Sequence, residues 1–387
     1  MYTALLADAP EPGGDSSGEG RLGRARGAGR APNRPKRTFQ VPRKGRLGIN
    51  SGYTVGIVGA ATPVGQEVVR VLGERRFPLA DLRALTADHS AGQRITVGEH
   101  TFVLREGNAR TFQGVDLALF VAGADDSSQL VPIASRAGAL IVDASPAFRN
   151  DAAVPLVAPE VNLDALAGRR RFVALPGPVS SQVSAVLYPL QVAAGLRRVI
   201  VDTYQAASDV GRGGVEELTE QVRLVLGGRA VVSHIFPHQL AFNALPEVDV
   251  FLDNGYSREE WLIAQEVRRV LRQPDLAVSV TAVRVPVYVG NAAALHVELE
   301  RRVEPHEARE IFSQAGLRVL DDPSVSLYPH PWMAAGQDEI CVGRIREDAS
   351  LARRGWGLAL WVVADNVRRT ALAVVRLAEV LIRLSTT

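Results

Sequence analysis

An apolar run beginning at Tyr53, YTVGIVGA, leads through Gly56-Ile57-Val58-Gly59-Ala60-Ala61-Thr62-Pro63-Val64-Gly65 into GQEVVRVLGERR, whose apolar residues recur at helical spacing. A glycine-bounded turn between strand and helix can cradle a pyrophosphate. One glycine makes the bend, a second lets backbone N–H groups approach the phosphates, and a third lets helix pack on strand. Gly59 and Gly65 suit the outer roles, with Thr62 and Val64 as the further candidate contacts. The middle position holds Thr62 followed by Pro63, so a Cβ and a missing N–H stand where phosphate would come close. On its own the turn serves nucleotide binding or a plain strand-turn-helix. The single thiol, Cys341, lies on a strand-like apolar run and reads as a small core hydrophobe.

The elements around this turn alternate. Strand-like LRALTA, ITV, TFVL, VDLALFVAG and ALIVDAS follow, with helical SSQLVPIASRAG between the last two, a pattern that predicts a mostly parallel sheet of the dinucleotide-binding type. Beyond about residue 178 come longer amphipathic helices and the long strands RRVIVDTYQAAS, LAVSVTAVRVPVYVG and AALHVELERRV, which predict an α+β domain. The C-terminal helix ADNVRRTALAVVRLAEVLIRL must dock an apolar face of Val367, Ala371, Val374, Val375, Leu377, Ala378 and Leu381, and is assigned to the first domain. The expected division is a Rossmann-type NADP-binding domain at 52–175 and 358–387, and a substrate and dimerisation domain at 176–357. Residues 1–51 are rich in Gly, Pro, Ser and Arg without periodicity and are expected to be disordered, as a dispensable tail or a basic arm for an acidic partner.

The 387 residues suffice for two cores. Residues 1–50 hold ten Lys/Arg against four Asp/Glu, leaving 34 against 38 for the body, which lacks the basic footprint of a nucleic-acid binder. One cysteine excludes a disulfide framework within the chain and fits a reducing compartment, so cytoplasm is expected. No apolar run approaches the roughly 20 residues that span a bilayer, so no membrane partner is expected.

Several stretches, in order from about Tyr53 to Leu384, resemble the aspartate-semialdehyde dehydrogenase family: the turn, SAG at Ser90–Gly92, SPAFRND at Ser145–Asp151, VPLVAPEVN, TYQAAS at Thr203–Ser208, QLAFNALP, RVPVYVGN at Arg284–Asn291, VGRIRED at Val342–Asp348 and WVVADNVRR at Trp361–Arg369. The resemblance implies reduction of β-aspartyl phosphate to the semialdehyde with NADPH, through a thioester on a cysteine, with a histidine as acid/base. Homodimers are usual in that family, the long sheet of the second domain being the expected interface.

The chain departs from the family where the chemistry is done. Aligned on Gln182 and Pro189, the family's nucleophilic cysteine is Pro178, which has neither a nucleophilic side chain nor an N–H. The acid/base histidine is Asn291, which cannot shuttle protons near neutral pH. His296, five residues on, would face the other side of a strand. On the cofactor side, the arginine expected for the adenosine phosphate is His89, and a glycine after TYQAAS is Asp209, whose carboxylate would repel phosphate.

By resemblance, Arg149 and Asn150 would receive the substrate phosphate, Arg284 its carboxylate, Gln205 the acyl group and Glu266 the amine. Arg268 would supply a second phosphate cation, while Ser90 and Asn366 would lie near NADP. The chain is thus similar to Usg-type proteins, which keep the fold and lack the nucleophile. The implied function is a non-catalytic or altered homologue holding a small anionic ligand or pairing with a true enzyme subunit. Two alternatives stand beside it: a working dehydrogenase using Ser180 or Ser181 as nucleophile, and an interaction protein recruited through its basic arm.

Overall fold

The computed structural model describes residues 52–386 except Asp88, His89 and Arg169. The expectation of disorder over 1–51 and the placement of His89 lie outside the described residues.

In chain order the elements are β1 (Tyr53–Val58), α1 (Pro63–Glu74), β2 (Leu79–Thr86), β3 (Arg94–Val97), β4 (His100–Val103), β5 (Arg105–Glu106), α2 (Ala109–Phe112), β6 (Leu117–Phe120), α3 (Ala124–Arg136), β7 (Leu140–Asp143) and β8 (Phe172–Ala174). They continue with α4 (Pro178–Ala194), β9 (Leu196–Gln205), α5 (Gly211–Leu226), α6 (Arg258–Leu271), β10 (Ala277–Arg284), β11 (Asn291–Leu299), α7 (Pro305–Gln314), β12 (Arg318–Val319), α8 (Pro331–Ala334), β13 (Cys341–Glu347), β14 (Gly357–Ala364) and α9 (Asn366–Thr386).

The first sheet has the order β5-β2-β1-β6-β7-β8 and is parallel throughout. Its inner strands LALF and LIVD are buried at every residue, as a parallel sheet covered on both faces requires. On one face, Val68 and Leu72 of α1 and Val374, Leu377 and Leu381 of α9 share a core with Val55 and Leu119. On the other, Leu130 and Ala134 of α3 pack with Val58 and Phe120. The apolar stripe of the C-terminal helix thus docks where expected, and Arg75 adds a bidentate pair to Glu379 on its flank at 2.7 Å.

The second sheet, β10-β9-β11-β14-β13-β12, is mixed. Its apolar inner face packs with Val183, Val186, Leu187 and Leu190 of α4 and with Ile263 and Val267 of α6. Helix α6 starts on a capping box between Ser257 and Glu260 and stops at Arg272 in the left-handed conformation. The continuous strand expected over LAVSVTAVRVPVYVG ends instead at Arg284, ahead of Pro286, and the next strand begins at Asn291.

The expected return to the first domain at 358 needs correction. Residues 357–364 are β14, hydrogen-bonded between β11 and β13 of the second sheet, so the chain rejoins the first sheet only with α9.

Candidate functional site

The parallel strands of the first sheet end on one edge, and the turns that follow them face the second sheet. From that edge come Val64, after β1; Val121 and Ala122, after β6; Ala144, Pro146 and Arg149, after β7; and Pro178, after β8. From the second sheet come Gln205 and Arg284, register partners at the C-terminal ends of β9 and β10, with Asn291 at the start of β11 and Asn366 just past β14. Together with Ser208, Asp209, Asp249 and Glu259 they line a cleft of about 380 Å³. The sequence-predicted Arg149, Pro178, Gln205, Arg284, Asn291, Asn366 and Val64 are therefore brought together.

Asp209 organises the middle of the cleft. Its Oδ2 accepts from Arg284 Nη1 at 3.0 Å, and its Oδ1 accepts from Asn291 Nδ2 at 3.1 Å and Asn366 Nδ2 at 2.7 Å. Asn291 is held from behind, its Oδ1 accepting the Ala206 N–H at 2.9 Å, and Arg284 also donates to the Ala206 carbonyl at 2.7 Å. Burial pushes the Asp209 carboxyl above the usual carboxylate range, with the Arg284 charge pulling the other way. The arginine expected to meet a substrate carboxylate thus meets one from its own chain.

Arg149 is likewise engaged. Its Nη2 donates to the Ala144 carbonyl at 2.8 Å and its Nη1 lies 3.8 Å from Glu266 Oε1, both side chains being buried. Glu266 Oε2 accepts the Gly177 N–H at 2.7 Å, fixing the loop that delivers Pro178. Glu266 therefore supports the cleft from beneath and does not line it. Asn150 and Glu266 line a second recess of about 330 Å³ with Trp261, Gln265 and Arg269, and Arg149 borders both.

The glutamate that lines the cleft is Glu259, one the sequence reading missed. Its Oε1 accepts from Gln205 Nε2 at 3.2 Å. Burial first, and then the charge of Glu266, push its pKa up to about 7. Glu259 lies seven residues before Glu266, two turns earlier on the same helical face, so the periodicity of α6 marks both positions.

At the glycine turn, Gly59 has φ of +86°, and a Cβ there would lie 2.8 Å from the backbone at Val121 and Ala122. A Cβ on Gly65 would lie 2.2 Å from the Gly59 carbonyl oxygen, so both outer glycines do what the motif requires. Thr62 acts differently. It caps α1, its Oγ1 accepting the Gly65 N–H at 3.0 Å and donating to the Gly59 carbonyl at 2.8 Å.

Several predicted residues fall elsewhere. Arg268 donates to the Leu276 carbonyl at 2.8 Å and has no place in the cleft. Ser90 bonds Thr86 at the end of β2 at 3.1 Å. Ser180 is buried within α4, and Ser181 donates to the Pro176 carbonyl at 3.3 Å; neither lines the cleft. Ser208 does line it, but its hydroxyl is bonded to the Asn366 amide, which takes up no proton. Cys341 is buried in β13, and His296 is paired with Asp348 at 3.0 Å, away from the cleft. No group of His, Cys, Asp and Glu among the described residues could hold a metal ion.

Comparison with known proteins matches both halves of the chain. The family model for the semialdehyde dehydrogenase NAD binding domain covers residues 54–169, and that for the semialdehyde dehydrogenase dimerisation domain covers 187–369. Aspartate-semialdehyde dehydrogenase of Aquifex aeolicus is 39% identical over 338 residues, spanning 86% of this chain and 98% of the relative. That of Bacillus subtilis is 37% identical over 332 residues, spanning 84% and 95%. Among solved structures, aspartate semialdehyde dehydrogenase II from Vibrio cholerae superposes with a TM-score of 0.81 at 36% identity, covering 86% of this chain and 99% of the other.

Proposed function

Because the chain belongs to the aspartate-semialdehyde dehydrogenase family, we propose that it is a non-catalytic member whose cleft is kept as a binding site and no longer as a reaction site. The observation that carries this reading is Pro178. A pyrrolidine ring lines the cleft beside Gln205 and Arg284, where an attacking sulfur would be needed, and Asn291 is tied to Asp209 and the Ala206 N–H. The hydroxyls lining the cleft, Ser208 and Thr370, donate to the side-chain and backbone oxygens of Asn366 and not to a carboxylate or an imidazole. Covalent catalysis needs a nucleophile and a proton acceptor acting as a unit, and loss of either typically lowers turnover by several orders of magnitude.

The turn does not fit a dinucleotide as its glycines alone suggest. Pro63 offers no N–H, and the Gly65 N–H is already taken by Thr62 Oγ1, so the helix end presents fewer donors to a pyrophosphate. Asp209 adds negative charge to the cleft. These features support a weakened affinity for NADP.

The match to a dimerisation domain supports a homodimer. The exposed Tyr204, its ring tilted against that of Trp361 with centroids 5.3 Å apart across the second sheet, offers an apolar surface for a second copy. Among the described residues no helix is long and apolar enough to cross a membrane. The test is turnover by the full chain of β-aspartyl phosphate with NADPH, and in reverse of the semialdehyde with NADP and phosphate. No turnover above the uncatalysed rate is expected; specific turnover would overturn the reading.

A further inference from the structure

Helix α6 makes two kinds of contact on two faces. Ile263, Val267 and Leu271 pack into the core of the second sheet. Arg269 and Val270, three and four residues after Glu266 and so its neighbours on the helix surface, reach the first domain as Glu266 does. Val270 is buried among Val154, Leu156, Ala158 and Ala174, and Glu266 accepts the Gly177 N–H at 2.7 Å. The adjacent arginines divide in the same way. Arg268 donates to the Leu276 carbonyl ahead of β10, whereas Arg269 crosses to the loop between β7 and β8.

That loop turns three carbonyls toward one guanidinium. Arg269 Nη1 donates to the Arg149 carbonyl at 2.6 Å, and its Nη2 donates to the carbonyls of Asp151, at 2.9 Å, and Val154. Residues 149–154 lie in no strand, so their carbonyls have no sheet ladder to pair with. A planar guanidinium presents its donors in a fixed fork, whereas an ammonium is a point charge on a flexible stem. The first of the three carbonyls belongs to Arg149, whose buried side chain borders both the cleft and the second recess. Arg149 Nε has no acceptor among the described residues, so the place of this guanidinium depends on the backbone that carries it as well as on Ala144 and Glu266.

We propose that Arg269 is the positioning residue of the cleft: its fork templates the 149–154 loop from across the domain boundary and thereby sets where the Arg149 guanidinium stands. Val270 keys the same loop through its apolar side, and Glu266 holds the neighbouring turn at Gly177. The first-domain wall of the cleft is thus shaped by a helix of the second domain before any ligand enters, whatever that ligand is.

The test compares Arg269→Lys and Arg269→Gln with the parent, each as the full chain. Hydrogen exchange is followed by mass spectrometry over residues 150–155, with β9 and β11 as internal references. The ¹⁵N-detected Nε–H resonance of Arg149, assigned by its loss in Arg149→Lys, reports the side chain itself. Charge-assisted bonds to carbonyls are among the stronger ones, so both variants should exchange at least about tenfold faster over 150–155. Both should also shift the Arg149 resonance, while β9 and β11 keep parental rates.

Parental behaviour of Arg269→Lys with a disturbed Arg269→Gln would mean that charge alone suffices, and would overturn the proposal. So would unchanged exchange in both variants, or an unmoved Arg149 resonance. A uniform rise across β9 and β11 would assign Arg269 to overall stability and overturn it as well.

Discussion

Arg284 Nη1 and Asp209 Oδ2 meet at 3.0 Å in the centre of the cleft, so the guanidinium placed to receive a ligand's acid group is satisfied within the chain. Removing one partner of a buried pair leaves the other charge uncompensated, which typically costs about 3–5 kcal/mol, whereas replacing both with apolar groups is often near neutral. Asp209→Asn should therefore lower the urea stability by about 3 kcal/mol. The double change Asp209→Leu with Arg284→Met should recover a substantial part of that loss. If Asp209→Asn is as stable as the parent, the pair is not the organising contact described.

Glu266 holds the loop that presents Pro178, through the bond from the Gly177 N–H at 2.7 Å. Glu266→Ala should cost about 2–3 kcal/mol, because a buried backbone donor and Arg149 both lose their acceptor. The same variant should raise amide exchange at Gly177 and in the first turn of α4. Unchanged exchange there would show that Glu266 does not position this loop.

Protonation of Glu259 couples the cleft to stability. Its folded pKa is pushed up to about 7 from 4.5, by burial and then by the Glu266 charge, so the folded chain binds this proton more tightly than the unfolded chain. That contribution is fully present below pH 4.5 and is lost as pH rises through about 7. Asp143, pushed up to about 6 by burial, acts with the same sign. Urea midpoints should fall between about pH 5 and about pH 8, by an amount on the order of 2 kcal/mol from Glu259, and Glu259→Gln should flatten the profile.

The cap at Thr62 gives a prediction about the cofactor. Thr62→Gly with Pro63→Ala frees the Gly65 N–H and restores a donor at 63, at a cost to the helix end of a few tenths of a kcal/mol for the cap. A hydrogen bond to a charged phosphate contributes about 1.5–3 kcal/mol, so NADPH should bind the variant about tenfold more tightly or better, as read by its fluorescence. Equal affinity would show that the turn does not limit cofactor binding.

Much of this was legible in the residues. The strand and helix periods placed both sheets, the apolar face of α9 told where it docks, and the motif spacing located Pro178 and Asn291 at the cleft. The strand at 357–364 was misplaced because a fully apolar run fits either sheet, and pairing between distant strands leaves no local signal. Glu259 and Glu266 share a helical face, and only packing shows that the second is turned under Gly177 while the first faces the cleft. Asp209 was marked as a repulsive charge; its bonds to Arg284, Asn291 and Asn366 depend on three chain segments that only the tertiary fold brings together.

The most direct test of the central claim is a single-turnover experiment, with the full chain in excess over β-aspartyl phosphate and saturating NADPH, followed by absorbance of the nicotinamide and by mass of the intact protein. A flat trace and an unmodified mass are expected. A burst of NADPH oxidation, or an acyl adduct on any residue, would contradict it.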